Sequence, residues 1–216
     1  MTTWAIIPAR PLEEGKSRLA EALTPGERSR LNQEFFRHTL ETTATVVGQR
    51  QTLVVSRSES LLAIARRMGF PTLQEKLPFG LNEALTQAAR VVRQHGADSV
   101  LSVSCDLPFL TESDLRALLT AGRQGGLAIA CDRAGTGTNA MLVSPVGAIP
   151  YLYGLGSFLA HSQAAAAAGL RLEIVRRPGL SFDIDTPDDL EQMEDIGRER
   201  VSVGPGTSMG CAFPSI

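Results

Sequence analysis

Cysteine, histidine and long apolar runs are all scarce in this chain of 216 residues, and each shortage excludes a class of protein. The three cysteines, Cys105, Cys131 and Cys211, are odd in number and far apart. They offer neither a disulfide framework nor a zinc pattern, as expected in a reducing compartment. The three histidines stand far from one another and from any cysteine, so a histidine-rich metal site is not expected. No apolar stretch approaches the roughly 20 residues that span a bilayer. The first residues lack a secretory pattern, and the expectation is a cytoplasmic protein without membrane contact. Neither sign of charge dominates: 21 basic and 23 acidic residues leave a net charge of −2. Without a bulk field there is no nucleic-acid surface to expect, and any anion site must be local.

What is present describes one globular domain. A 43% hydrophobic and 20% charged composition at this length permits a single continuous core. Short β-rich runs occur at 4–7, 52–56, 70–74, 98–104, 127–131, 140–143, 171–175 and 181–184, with helical patterns between most of them. Thr24-Pro25-Gly26-Glu27 opens one helix as N-cap, N1 proline and N3 glutamate. Leu81, Leu85, Ala88 and Val92 form a helical stripe, and Thr111 to Asp114 reads as a second capping box. Such alternation predicts parallel βαβ units in an open, doubly wound α/β sheet. The pattern breaks after 131, where glycines, prolines and tyrosines predict an inserted hairpin and an irregular loop to about 160. Ala164 to Ala168 reads as a packed helix interior. The domain is expected to span 1–197, and 198–216, with Gly204, Pro205, Gly206, Gly210 and Pro214, to be a mobile tail.

Open α/β sheets bind ligands beyond the carboxyl ends of their strands, so the residues after each strand carry the search for chemistry. After the first strand, Pro8-Ala9-Arg10 leads through Gly15 to Lys16-Ser17-Arg18. Backbone N–H groups, a helix start and closely spaced cations suit a triphosphate. A Walker A loop is excluded, because the glycine it needs five residues before Gly15-Lys16 is replaced by Arg10. Asp106 leaves the strand near Ser104, well placed to hold Mg²⁺; Thr111 is the better cap for the helix that follows. Asp183 and Asp185 sit on an expected strand end, on one face by the period of two. Thr186, Pro187 and Asp189 explain a helix start there but not these two further acids.

The run Asp132 to Asn139 combines two glycines with Thr138 and Asn139, which suits either an anion or a plain hairpin turn. Gly154, Gly156 and Ser157 precede a helix carrying His161, a second geometry open to anion binding or to capping. Gly80-Leu81-Asn82 opens the striped helix, where Asn82 either caps or reads a base edge.

In this order, the residues resemble the CofC/FbiD family of guanylyltransferases in coenzyme F420 biosynthesis. The resemblance runs over about residues 4 to 195. It rests on Pro11-Leu12 with Lys16 to Leu19, Gly80 to Asn82, Asp106 to Pro108, Asp132 to Asn139, Gly156 to Phe158 with His161, and Asp183 to Pro187. Arg10 stands where the family usually has lysine, trading a point cation for a planar fork. Cys105 stands where the family often has alanine. The resemblance implies a three-layer, Rossmann-like nucleotidyltransferase fold of the nucleotide-diphospho-sugar transferase type. It also implies transfer of GMP from GTP to 2-phospho-L-lactate, phosphoenolpyruvate or 3-phospho-D-glycerate, with release of pyrophosphate. The phosphate dianion of such an acid is already a nucleophile at neutral pH, its second pKa lying near about 6, so no catalytic histidine is needed.

On that reading Lys16, Arg18 and Asp106 are catalytic. Pro8, Ala9, Arg10, Lys16, Gly80 and Asn82 bind the nucleotide. Thr138, Asn139, Gly154, Ser157 and His161 hold the acceptor, while Asp106 with Asp183 or Asp185 holds Mg²⁺. Other partners are not expected, and a homodimer is left open. The alternatives are a molybdopterin or sugar-acid nucleotidyltransferase and a non-catalytic nucleotide-binding regulator.

Overall fold

Seven of the apolar runs become strands of one mixed sheet in the computed structural model, which describes residues 1–14 and 16–202. They are β1 (Thr3–Pro8), β2 (Thr52–Ser56), β3 (Thr72–Gln74), β4 (Ser99–Val103), β5 (Gly126–Cys131), β6 (Thr138–Ser144) and β7 (Leu172–Ile174). The sheet order is β3-β2-β1-β4-β6-β5-β7, and β6 alone runs against the rest. Strand alternation divides β1 between two cores. Ala5 and Ile7 face one side and Ile6 the other, all fully buried.

The helices are α1 (Pro25–Val47), α2 (Glu59–Arg67), α3 (Leu81–Gln94), α4 (Glu112–Ala121), α5 (Ser157–Ala167), α6 (Pro178–Ser181) and α7 (Pro187–Ser202). On one face Phe36 and Leu40 of α1, Leu61 and Leu62 of α2, and Leu115 and Leu118 of α4 pack on Ala5, Ile7, Leu101 and Val103. On the other, Leu85, Ala88 and Val92 of α3 cover Ile6, Leu53, Val55 and Val100, while Ala165 of α5 covers Leu127, Ile129 and Met141. Three layers result. Both expected capping boxes form, Thr24 with Glu27 and Thr111 with Asp114.

The chain winds outward from β1 through β2 to β3, then returns to place β4 on the other side of β1. This reversal separates the loops leaving β1 and β4 and opens a crevice between them.

Three local expectations are corrected. Residues 181–184 are not a strand: α6 ends at Ser181, and Phe182 and Ile184 are buried against Leu19, Leu31, Phe35 and Leu190 instead of in the sheet. The Asp183/Asp185 strand-face argument therefore fails. The alanine run does lie at the end of α5, but of Ala164 to Ala168 only Ala165 is fully buried and the last three are exposed. The hairpin of β5 and β6 is built into the main sheet, with β6 between β4 and β5. Apart from these, α7 runs to Ser202, and the glycines and prolines of the expected tail lie outside the described residues.

Candidate active site

A cavity of about 560 Å³ lies along the carboxyl ends of the first four strands. Pro8 to Leu12 line it after β1, Arg57 after β2, Glu75 and Phe79 to Leu81 after β3, and Ser104 to Asp106 after β4. Ala9 N–H donates to the Val55 carbonyl at 2.9 Å, which keeps the first loop in sheet register for one residue beyond β1. The loop then peels away, held at Leu12 by Asn32 Nδ2 on its carbonyl at 2.7 Å.

Lys16 carries the strain of this loop. Its φ of 58° is left-handed, and among the described residues it is the one non-glycine with positive φ. Such a conformation costs of order 1–3 kcal/mol and persists where surrounding contacts over-determine it. Three contacts do so here. Leu19, just beyond in a short 3-10 helix (Ser17–Glu21), is fully buried. The lysine ammonium lies 5.4 Å from the centre of the Phe35 ring. Lys16 Nζ donates to the Ile184 carbonyl and stands 3.9 Å from Asp106 Oδ2, leaving the side chain 6% exposed. Arg18 differs: it is exposed, 4.0 Å from Asp185, and does not line the cavity. Arg10 is an exposed part of the cavity wall.

Acid surrounds this cation. Ile184 N–H donates to the Asp106 carbonyl at 3.2 Å, tying the segment after α6 to the loop after β4. Asn139 Nδ2, on β6, donates to the Leu180 carbonyl at 3.0 Å and to Asp183 Oδ1 at 3.3 Å. The Asp183 carboxyl is pushed up by burial and then by the charge of Asp106, and the Asp185 carboxyl by the same two causes in the same order. Three acids thus repel one another beside one lysine. Among the described residues they are not drawn into a ready-made cluster of three metal ligands. Mg²⁺ takes one or two carboxylates and fills its remaining positions with water and phosphate oxygens, so this donor set fits it.

Cys105, beside Asp106, is not a nucleophile: burial and then Asp106 push its thiol up strongly, and it donates to the Pro8 carbonyl at 3.5 Å.

The expected acceptor residues form a unit of their own. Leu152 N–H donates to His161 Nε2 at 2.8 Å, which leaves the proton on Nδ1, 3.1 Å from Thr138 Oγ1. Ser157 Oγ donates to the same Thr138 oxygen at 3.2 Å. Burial lowers the His161 pKa to about 4 and keeps the ring neutral. Thr138, Ser157 and His161 are buried, Gly154 is exposed, and none of them lines the cavity; nor does Asn139. Asn82 neither caps α3 nor faces the cavity. Its amide exchanges two bonds with the backbone of Tyr153, 3.1 Å to the carbonyl and 2.8 Å from the N–H, and so pins the loop before α5.

Sequence reasoning missed Arg57, Glu75 and Phe79, all in the cavity wall. Arg57 and Glu75 directly follow β2 and β3, so the strand-end rule that found Asp106 also points to them.

A sheet that reverses its winding at β1 and β4, with a lysine loop after one and an aspartate after the other, is the plan of a nucleotidyltransferase. The fold is similar to a protein described as a nucleotide-diphospho-sugar transferase from Desulfovibrio desulfuricans G20, with a TM-score of 0.75 and 15% identity over 91% of this chain and 87% of that one. It is also similar to a Methanothermobacter nucleotidyl transferase, with a TM-score of 0.65 and 17% identity over 92% and 99%. More particularly, the chain belongs to the family of CofC-like guanylyl transferases, whose model matches residues 3–202. It is 38% identical to the phosphoenolpyruvate guanylyltransferase of Rubrobacter xylanophilus over 91% of this chain and 96% of the relative. The 3-phospho-D-glycerate guanylyltransferase of Colwellia psychrerythraea is 35% identical over 88% and 90%.

Proposed function

We propose that this enzyme moves GMP from GTP onto the phosphate of a small three-carbon acid in the cytoplasm, releasing pyrophosphate, as a step of coenzyme F420 biosynthesis. The observation that carries the reading is Lys16, held beside Asp106 at the sheet's switch point with the cavity before it. The relatives' names support the substrates. Phosphoenolpyruvate is the first acceptor to consider, because relatives at 38% and 39% identity are named for it.

An oxygen of the acceptor phosphate attacks the α-phosphorus of GTP as the bond to the bridging oxygen of the β-phosphate breaks, and the electron pair leaves with pyrophosphate. The attacking phosphate is a dianion above about pH 6, so no general base is required. His161 supplies none, being neutral with both nitrogens engaged. Lys16 exchanges the Ile184 carbonyl for phosphate oxygens, with Arg18 and Arg10 at the mouth. Pro8, Ala9 and Gly80 form the nucleotide wall, and Asn82 acts behind it through Tyr153. Asp106 with Asp183 or Asp185 would hold a divalent cation, which neutralises charge developing on the phosphates.

On the acceptor side, Thr138 Oγ1 accepts from both His161 and Ser157, so its own proton is left for an acid that would bind beside Gly154, outside the wall of the nucleotide cavity. Gly154 gives the acid room to approach the backbone, and Asn139 sets Asp183.

Pyrophosphate release from GTP and Mg²⁺ tests the proposal, with 2-phospholactate, phosphoenolpyruvate and 3-phosphoglycerate offered separately. Release with one acid is expected; none with any acid would overturn it.

A further inference from the structure

Guanine differs from the other bases in presenting two adjacent donors, N1–H and the N2 amino group, and a carboxylate can accept from both at once. Four acids line the cavity: Glu14, Glu75, Asp106 and Asp185. Glu14 is paired with Arg57. Asp106 and Asp185 lie at the phosphate end, facing Lys16 and Arg18. Glu75 remains, and among the described residues no cation pairs with it.

We infer that Glu75 reads the guanine of GTP, accepting from N1–H and N2–H. This rests on the guanylyl-transfer reading above and adds the source of its base preference. Position supports the assignment. Glu75 directly follows β3 and Asp106 lies beyond the end of β4, three strands away in the sheet, about 14 Å at the usual strand spacing. A nucleotide laid across those strand ends puts its phosphates at β1 and β4 and its base at β2 and β3.

Preparation supports it too. Glu75 N–H donates to the Ser56 carbonyl at 2.9 Å, continuing the β2–β3 register one residue past the strands. Gly80 N–H donates to Glu75 Oε1 at 2.7 Å, which fixes the carboxylate and leaves Oε2 and a lone pair of Oε1 for a ligand. The loop carrying it is clamped in turn by Gln87 of α3, which accepts from Lys76 N–H at 2.9 Å and donates to the Lys76 carbonyl at 2.7 Å. Phe79, half exposed in the same wall, offers an apolar face beside the base. Adenine would set the lone pair of its N1 against this carboxylate, which gives the site a reason to reject ATP.

Calorimetric affinities for GTP and for ITP, which lacks the N2 amino group, test the inference. The native enzyme should prefer GTP by about tenfold or more, the range of a good two-point base contact. In Glu75→Gln the preference should collapse to within a few-fold, and in Glu75→Asp it should fall between the two. A residue that only braces Gly80 would weaken GTP and ITP alike and leave their ratio intact. That result overturns the inference, as would equal binding of GTP and ITP by the native enzyme. On the native protein alone, N1-methyl-GTP should bind no better than ITP; full affinity for it overturns the assignment whatever the variants do. Pyrophosphate release measured in parallel separates the two claims, since absent turnover strikes the proposed reaction and a constant GTP-to-ITP ratio strikes Glu75.

Discussion

Lys16 holds a left-handed backbone so that a long side chain starting at the cavity edge can turn inward over Phe35 and reach the acids. The apolar stem and the charge have separable duties. Lys16→Met retains a stem of similar length over the ring and removes the ammonium, so the folded state should persist. GTP turnover should fall on the order of 10²- to 10³-fold, the loss seen when one donor to developing charge is deleted. Steady-state kinetics with a thermal melt checks this, and wild-type turnover would place the triphosphate elsewhere. Asp106→Asn is the complementary change. It leaves the Asp106 carbonyl free to accept from Ile184 N–H. A melt close to wild type with turnover abolished is expected, and near-normal activity would remove Asp106 as a metal ligand. Both residues were legible in the sequence because each lies in the loop that leaves a strong apolar run. Glu75 follows only a three-residue strand with no motif around it and was passed over.

At the scale of elements, the strands and long helices were readable because burial on two faces or one leaves a periodic trace in the sequence. The errors fell where that trace has another cause. Phe182 and Ile184 alternate with polar residues as a strand would, yet a local cluster with α7 and the lysine loop buries them. Asn82, at the start of a helix, looks like a cap, but its partner is Tyr153, 71 residues away, which no local pattern reveals. His161 shows what such long-range contacts do. It joins α5, β6 and the loop before α5 through bonds that require a neutral ring. Its pKa is lowered from 6.5 to about 4 by burial, so in between the unfolded chain takes up a proton that the folded one refuses. Stability from this residue is therefore fully present above pH 6.5 and is lost as pH falls toward 4, on the order of 3 kcal/mol. Urea midpoints across that window should fall with decreasing pH in the wild type and change less in His161→Gln. Parallel slopes in the two proteins would show that another group carries the dependence.

Across the whole molecule, the fold accumulates like charge at one edge. The sheet's reversal brings the loop after β4 against the segment after α6, and Asn139 on β6 fixes Asp183 there. Burial and the charge of Asp106 oppose ionisation of Asp183, so the ligand-free enzyme holds a carboxylate that weakens its own fold. The proposed ligand role would account for its presence, and the stability of the chain should then show the trade. Asp183→Asn keeps an oxygen for Asn139 Nδ2 to donate to and removes the charge. Its ligand-free melting temperature should rise by about 2–4 °C for each 1 kcal/mol of repulsion relieved, while turnover falls. Mg²⁺ with GTP should raise the melting temperature of the wild type by binding the folded state, and raise that of Asp183→Asn less. A variant that melts lower than wild type without ligand would mean that Asp183 stabilises the fold and that the acids do not work against one another. A variant that melts higher but gains as much from Mg²⁺ and GTP would leave the ligand role to Asp106 and Asp185, the acids that already pair with Lys16 and Arg18.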